Sequence, residues 1–262
     1  MRKRNFLMSQ RVLSLLAHPD DAEFLCAGTL IRLHEIGWDA HIASMTPGDC
    51  GSRDLPGPTI SALRREEART AAAMIGASYH CLDFRDLQVC FDALHVRRAV
   101  ELVRRVDPDI VITHWPQDYM PDHEFTSLVV RSATFGAPMP NFDTGASSGA
   151  APTARIPYLY YASPIEGKNI FGEPVPFSLF IDISSVIDTK SGMLACHHSQ
   201  REWLRAQHGI DEYVESMKRW SLELGAFAGV GYAEGFRQHL GHAYPQKDVL
   251  GELLGDILTS SR

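Results

Sequence analysis

Apolar positions in this chain fall into short continuous runs that alternate with longer stretches at helical spacing. Residues 12–17 form such a run and read as a buried strand. Over 22–36 the apolar residues Phe24, Leu25, Leu30, Ile31, Leu33 and Ile36 keep the three-to-four spacing of a helix, which Gly37 closes. A second strand at 41–45, a helix at 60–75 ending on Gly76 and a short strand at 79–82 follow. Residues 93–106 are helical, Pro108 closes the connection, 110–113 is a fourth strand, and a helix runs through 125–135. Late strands are expected at 158–161 and 179–183, then mostly helix beyond Ser184, with a final amphipathic helix at 249–258.

Strands that alternate with helices predict an α/β, Rossmann-like, doubly wound and mostly parallel sheet with helices on both faces. A single domain over 1–262 is expected, with 1–10 a ragged start and 237–262 a C-terminal extension. The stretch 137–157, rich in Pro, Gly, Ala, Ser and Thr, reads as a long loop, a surface excursion in preference to a flap.

Composition narrows the class. A hydrophobic fraction of 45% and a charged fraction of 22% are those of an ordinary globular protein. The net charge of -7 argues against a general nucleic-acid binder. Five cysteines without a CxxC pair fit a reducing cytoplasm. The basic start is not followed by a signal-length apolar segment, and no apolar stretch approaches the roughly 20 residues of a membrane span. A homo-oligomer is open, with the surface loops and late helices as the contact.

In an open α/β sheet a ligand sits beyond the carboxyl ends of the strands. The first strand ends there in Ala17-His18-Pro19-Asp20-Asp21. His18 and Asp21 are good Zn²⁺ ligands, and Asp20 between them is placed to act as a base toward water. A plainer reading stands beside this: Asp20 caps the following helix, Glu23 completes a capping box, and Pro19 keeps His18 extended. Gly48 and Gly51, after the second strand, let backbone approach a ligand or simply form a turn. Arg64 and Glu67 have the spacing of a solvated helical ion pair, and Asp86 follows the third strand at the same edge. The fourth strand ends in a second polar cluster, from His114 to His123. Together the two clusters supply His, Asp and His, the three ligands of a catalytic zinc site with an open position. The same set describes a non-haem Fe(II) site, so Fe²⁺ or another divalent ion is an alternative. No G-x-G-x-x-G or Walker pattern follows the first strand.

These motifs resemble the PIG-L/LmbE-like family of metal-dependent N-deacetylases from Leu13 to about Phe236. The anchors are A-H-P-D-D-A-E at 17–23, T-P-G-D at 46–49, R-R-E-E-A at 64–68, P-D-I-V-I-T at 108–113, D-Y-M-P-D-H at 118–123 and A-C-H-H-S-Q at 195–200. The resemblance implies hydrolysis of an N-acetyl group from an amino sugar or similar small amide. It implies zinc on His18, Asp21 and His123, Asp20 as general base, and Arg64 and Asp86 toward sugar hydroxyls. One departure stands out: where many members read H-P-D-H, this chain has Met120 before Pro121, and a thioether does no acid-base work. His114, His197, His198 and His242 are the substitutes on offer, with His242 preferred because it sits in an irregular Gly-rich segment. Asp122 is expected to orient a histidine. Two alternatives are a catalytically weakened relative that binds sugar or nucleotide without turnover, and an oxygen-consuming iron enzyme.

Overall fold

The computed structural model describes residues 10–202 and 212–255. Five strands, β1 (Arg11–Leu16), β2 (Asp39–Ser44), β3 (Ser78–Cys81), β4 (Ile110–Thr113) and β5 (Tyr158–Ala162), pair in parallel in the order β3-β2-β1-β4-β5. The sheet is completed beyond β5 by β7 (Ala233–Gln238), antiparallel to it, and then by β6 (Leu179–Asp182). The doubly wound expectation holds. The strand order reverses between β1 and β4, so the two polar clusters of the sequence emerge side by side at the switch point where such sheets bind ligands.

Strand alternation builds a core on each face. Val12 and Leu16 of β1, with Ile110 and Ile112 of β4, pack toward α2 (Ala27–Glu35), α6 (Ile187–Ala195) and α8 (Val249–Leu254). Leu13, Leu15 and Val111 pack on the other face, against Val96, Val100 and Val103 of α4 (Ala93–Val106) and Val129, Val130 and Ala133 of α5 (Pro121–Gly136). Each such side chain contributes roughly 1.5–3 kcal/mol on burial, and these shells hold the strand ends in register. Among the described residues no helix is long and apolar enough to cross a membrane.

The predicted helix over 22–36 is two helices, α1 (Asp21–Leu25) and α2, broken at Cys26 (φ -145°). The reason lies far away in sequence: Glu234 of β7 accepts hydrogen bonds from Gly28 N (2.8 Å) and Thr29 N (2.7 Å) and so caps a new helix start. The helix predicted at 60–75 is α3 (Gly57–Ala73), with proline in its first turn. A sixteen-residue helix, α7 (Tyr213–Ala228), precedes β7. The expected C-terminal helix ends at Leu254, and its expected last residues, like residues 1–9, lie outside the described residues. The loop 137–157 runs over the surface, pinned by Glu101, which accepts from Thr144 Oγ1 (2.8 Å) and Ala150 N (3.1 Å).

Candidate active site

The turn after β1 does not support the capping reading of Asp20. Its side chain makes no capping hydrogen bond to α1, and its backbone sits at φ 113°, in the left-handed region that costs a non-glycine residue about 1–3 kcal/mol. Glu23, buried, caps nothing either: both its oxygens lack a hydrogen-bond partner, with His197 Nε2 3.5 Å away. The capping box does not form. Asp20 instead lines a cavity of about 550 Å³ with His18, Asp21, Arg64, Asp86 and His123.

One donor atom each from His18, Asp21 and His123 lies within 4.8 Å of the other two. His18 Nδ1 is 3.3 Å from Asp21 Oδ2, and His123 Nε2 is 3.5 Å from Asp21 Oδ1. Two donors at 2.0–2.1 Å from one tetrahedral ion stand roughly 3.3 Å apart, so these separations suit a small divalent cation. Carboxylates face the outward ring nitrogens. His18 Nε2 faces Asp86 Oδ1 (3.1 Å) and Asp122 Oδ2 (3.4 Å), and His123 Nδ1 faces Asp118 Oδ1 (3.0 Å). Asp122 is itself fixed by Leu87 N (2.8 Å) and Val89 N (3.3 Å).

Among the described residues three further groups come within metal-binding reach: His18 with Asp86 and Asp122, the carboxylates behind its ring, and two others, His114 with Asp118 and His123, and Cys90 with Asp92 and His95. Ordinary bonds occupy both. His114 Nε2 accepts the Ala17 N–H (2.9 Å), while Asp92 caps α4 by accepting His95 N (2.8 Å).

The charges around the cavity do not balance. Asp20, Asp21, Asp86, Asp118 and Asp122 converge on Arg64 and three histidines, all buried except Asp21, which is nearly so. Burial opposes a charge on His18, but Asp122, Asp21 and Asp86 outweigh it and hold its pKa well above the ordinary imidazole value. Burial would likewise raise Asp21, yet His123 and His114 pull it well below the usual carboxylate range. Asp20 is raised, chiefly by burial, with Arg64 opposing. His114 is lowered by burial and by the charge of His123, on whose ring it stacks at 3.8 Å between centroids. An excess of carboxylates around nitrogen donors is the environment of a cation site.

Arg64 is a brace. Its Nη2 donates to Pro19 O (2.9 Å) and Asp20 Oδ1 (3.3 Å), and its Nη1 to Gly48 O (3.3 Å). Gly48 of the T-P-G-D turn and Gly51 just beyond it are needed for this: a Cβ on Gly48 (φ +70°) would stand 2.2 Å from Arg64 Nη1, and one on Gly51 2.5 Å from it. The simple pairing of Arg64 with Glu67 does not occur.

His242 is not brought together with the other expected site residues. β7 runs against β5, so its end at Gln238 reaches the amino edge of the parallel strands, where His239 N donates to Leu159 O (2.8 Å). His242 follows in an exposed turn at that edge, outside the cavity lining. The loop 137–157 is also absent from the lining. Sequence reasoning overlooked Tyr213 of α7, whose hydroxyl donates to Asp20 Oδ2 (2.5 Å), and gave no role to Asp118, although it lies inside the quoted D-Y-M-P-D-H motif.

Residues 13–134 match the family model described as PIG-L, GlcNAc-PI de-N-acetylase, which takes in the first five anchors. A 4-oxalmesaconate hydratase of Pseudomonas putida is 27% identical over 197 residues, 71% of this chain and 73% of the relative. A probable N-acetyl-alpha-D-glucosaminyl L-malate deacetylase 2 of Bacillus subtilis is 24% identical over 210 residues, 74% of this chain and 85% of the relative. In fold, the N,N'-diacetylchitobiose deacetylase of Pyrococcus horikoshii superposes with a TM-score of 0.74 at 23% identity, over 92% of this chain and 88% of that one.

Proposed function

We propose that this chain, which carries a PIG-L domain over residues 13–134, is a metal-dependent amide hydrolase that removes an N-acetyl group from an amino sugar or related small amide. The observation that carries the reading is the convergence of His18, Asp21 and His123 beside an uncapped, strained Asp20. Those three residues would hold a divalent ion, Zn²⁺ by the chemistry of the donors, which when bound supplies Lewis acidity toward the amide carbonyl and toward water.

The chain's own groups do the rest. Asp20, with a raised proton affinity from burial, takes a proton from the attacking water. Arg64 on Oδ1 and Tyr213 on Oδ2 keep its carboxylate aimed. Asp122 and Asp86 flank the His18 ring with negative charge, and Asp118 bonds His123. Met120 lines the cavity without an acidic proton, His242 is at the opposite sheet edge, His197, buried against Glu23, and exposed His198 lie outside the cavity lining, and His114 is buried with a lowered pKa. The proton that Asp20 has taken is therefore the one returned to the departing nitrogen. Water adds across the C–N bond, giving acetate and a free amine.

A hydratase reading draws on the Pseudomonas relative and on Met120, because hydration of a double bond has no leaving amine to protonate. Charge disfavours it. Among the described lining residues Arg64 is the one Lys or Arg, its terminal nitrogens are engaged, and the carboxylates around it and around His18 would repel a polyanionic acid.

The test is acetate release from a panel of N-acetylated sugars by metal-loaded protein, with and without chelator. Asp20→Asn should keep its metal and lose about 10²–10⁴-fold in rate. Loss of metal in that variant would make Asp20 a ligand, and undiminished turnover would remove it from the chemistry. Oxygen consumption would instead point to an iron oxygenase.

A further inference from the structure

Two motifs of the sequence remain outside the mechanism, the glutamate of R-R-E-E-A and the H-H-S-Q segment, and the structure joins them. Arg64 and Glu67 lie on one face of α3, but they turn to different partners. Arg64 grips the turn around Asp20 and Gly48, while Glu67, also buried, accepts both Ser199 N (2.9 Å) and Ser199 Oγ (2.6 Å). This two-point bond anchors the residue that follows. Gln200 faces the cavity, its Oε1 buried and without a hydrogen-bond partner, 3.3 Å from where a side chain on Gly51 would start.

A buried amide oxygen with no donor is a cost unless something else supplies the proton. On the same wall the terminal nitrogens of Arg64, the residue expected to hold sugar hydroxyls, are already donating to Pro19, Asp20 and Gly48. Much of the facing wall is apolar, from Phe24, Leu25, Leu87, Met120 and Ile165. Arg64 Nε, also buried, lacks a partner too, and the open acceptor beside Gly51 is that of Gln200.

We propose that Gln200 is a specificity residue that accepts a hydrogen bond from a hydroxyl of the substrate sugar, and that Glu67, through Ser199, is the positioning residue that holds it there. This rests on the deacetylase reading above. The bond is uniform binding, made before and during the reaction, so its loss should appear in KM more than in kcat.

The experiment compares wild type, Gln200→Ala, Glu67→Ala and Glu67→Gln for acetate release from N-acetylglucosamine and related N-acetyl sugars, with zinc content measured on each. Calorimetric binding of N-acetylglucosamine to metal-loaded Asp20→Asn, with and without Gln200→Ala, gives a readout independent of turnover. Gln200→Ala should raise KM at least tenfold with kcat within about threefold and metal unchanged, and should weaken binding to the Asp20→Asn protein by a similar factor. Glu67→Ala should show the same KM-dominated loss, with Glu67→Gln, which keeps an acceptor for Ser199, recovering most of it. Unchanged KM and unchanged binding in Gln200→Ala, with an active wild type, would overturn this inference alone. A wild type that releases no acetate and binds none of these sugars would overturn the deacetylase reading, and this inference with it.

Discussion

The molecule buries two ionic clusters on either side of the α1–α2 break, and they are built differently. At the core end Lys190 Nζ meets Glu234 Oε1 at 2.6 Å, and the remaining capacity of Glu234 is filled by Gly28 N, Thr29 N and Thr29 Oγ1. One positive and one negative group pair off, and the carboxylate is saturated by backbone and hydroxyl donors. At the switch point several carboxylates converge on fewer cationic groups, donor atoms face one another across 3.3–3.5 Å, and a cavity opens beside them. A buried charge cluster that closes on itself is architecture; one that leaves an imbalance next to a cavity is a site.

The sharpest way to break this contrast is to remove a donor from the open cluster. His123→Ala should abolish both metal retention and acetate release, checked by elemental analysis and a product assay, with the fold retained by circular dichroism. The mirror experiment is Glu234→Ala, which strands Lys190 in the core. It should cost about 3–5 kcal/mol, a fall in Tm of roughly 6–20 °C, while the protein that remains folded loads metal as before. If that variant lost metal at an unchanged Tm, the division between architecture and site would be wrong.

A smaller effect is expected behind the ligands. Asp122→Asn should weaken metal binding about 10–100-fold with little change in melting. The pH dependence follows from the same contacts. His18 without metal has a raised proton affinity, so at neutral pH the cation displaces a proton. Apparent affinity should rise with pH up to the His18 pKa and then flatten, and calorimetry in buffers of different ionisation enthalpy should register proton release. The smallest effect is at His242, where replacement by Ala should leave acetate release within about twofold of wild type.

Legibility from sequence followed the same division. The β1 turn could be read because an apolar strand ends abruptly in chemistry-bearing side chains, and α4 and β4 were found to the residue because their patterns are clean. β7 was missed. Its run Ala-Glu-Gly-Phe-Arg-Gln puts a buried glutamate and a glycine inside a strand, which looks like surface until Lys190 and the α2 terminus are seen to neutralise Glu234. Missing β7 also misplaced His242, because the reversal of that strand sets which sheet edge the tail reaches. Tyr213 carries no local signal, since its place beside Asp20 comes from a contact across most of the chain, and Gln200 closes the A-C-H-H-S-Q anchor with nothing local to say that it faces the cavity.

The most direct test of the central claim is a crystal of zinc-loaded protein measured across the zinc absorption edge. The account predicts an anomalous peak within about 2.0–2.2 Å of one atom each from His18, Asp21 and His123, with a coordination position facing the cavity. A peak bound instead by Cys90, Asp92 and His95, or no peak between His18 and His123 at full zinc loading, would contradict it.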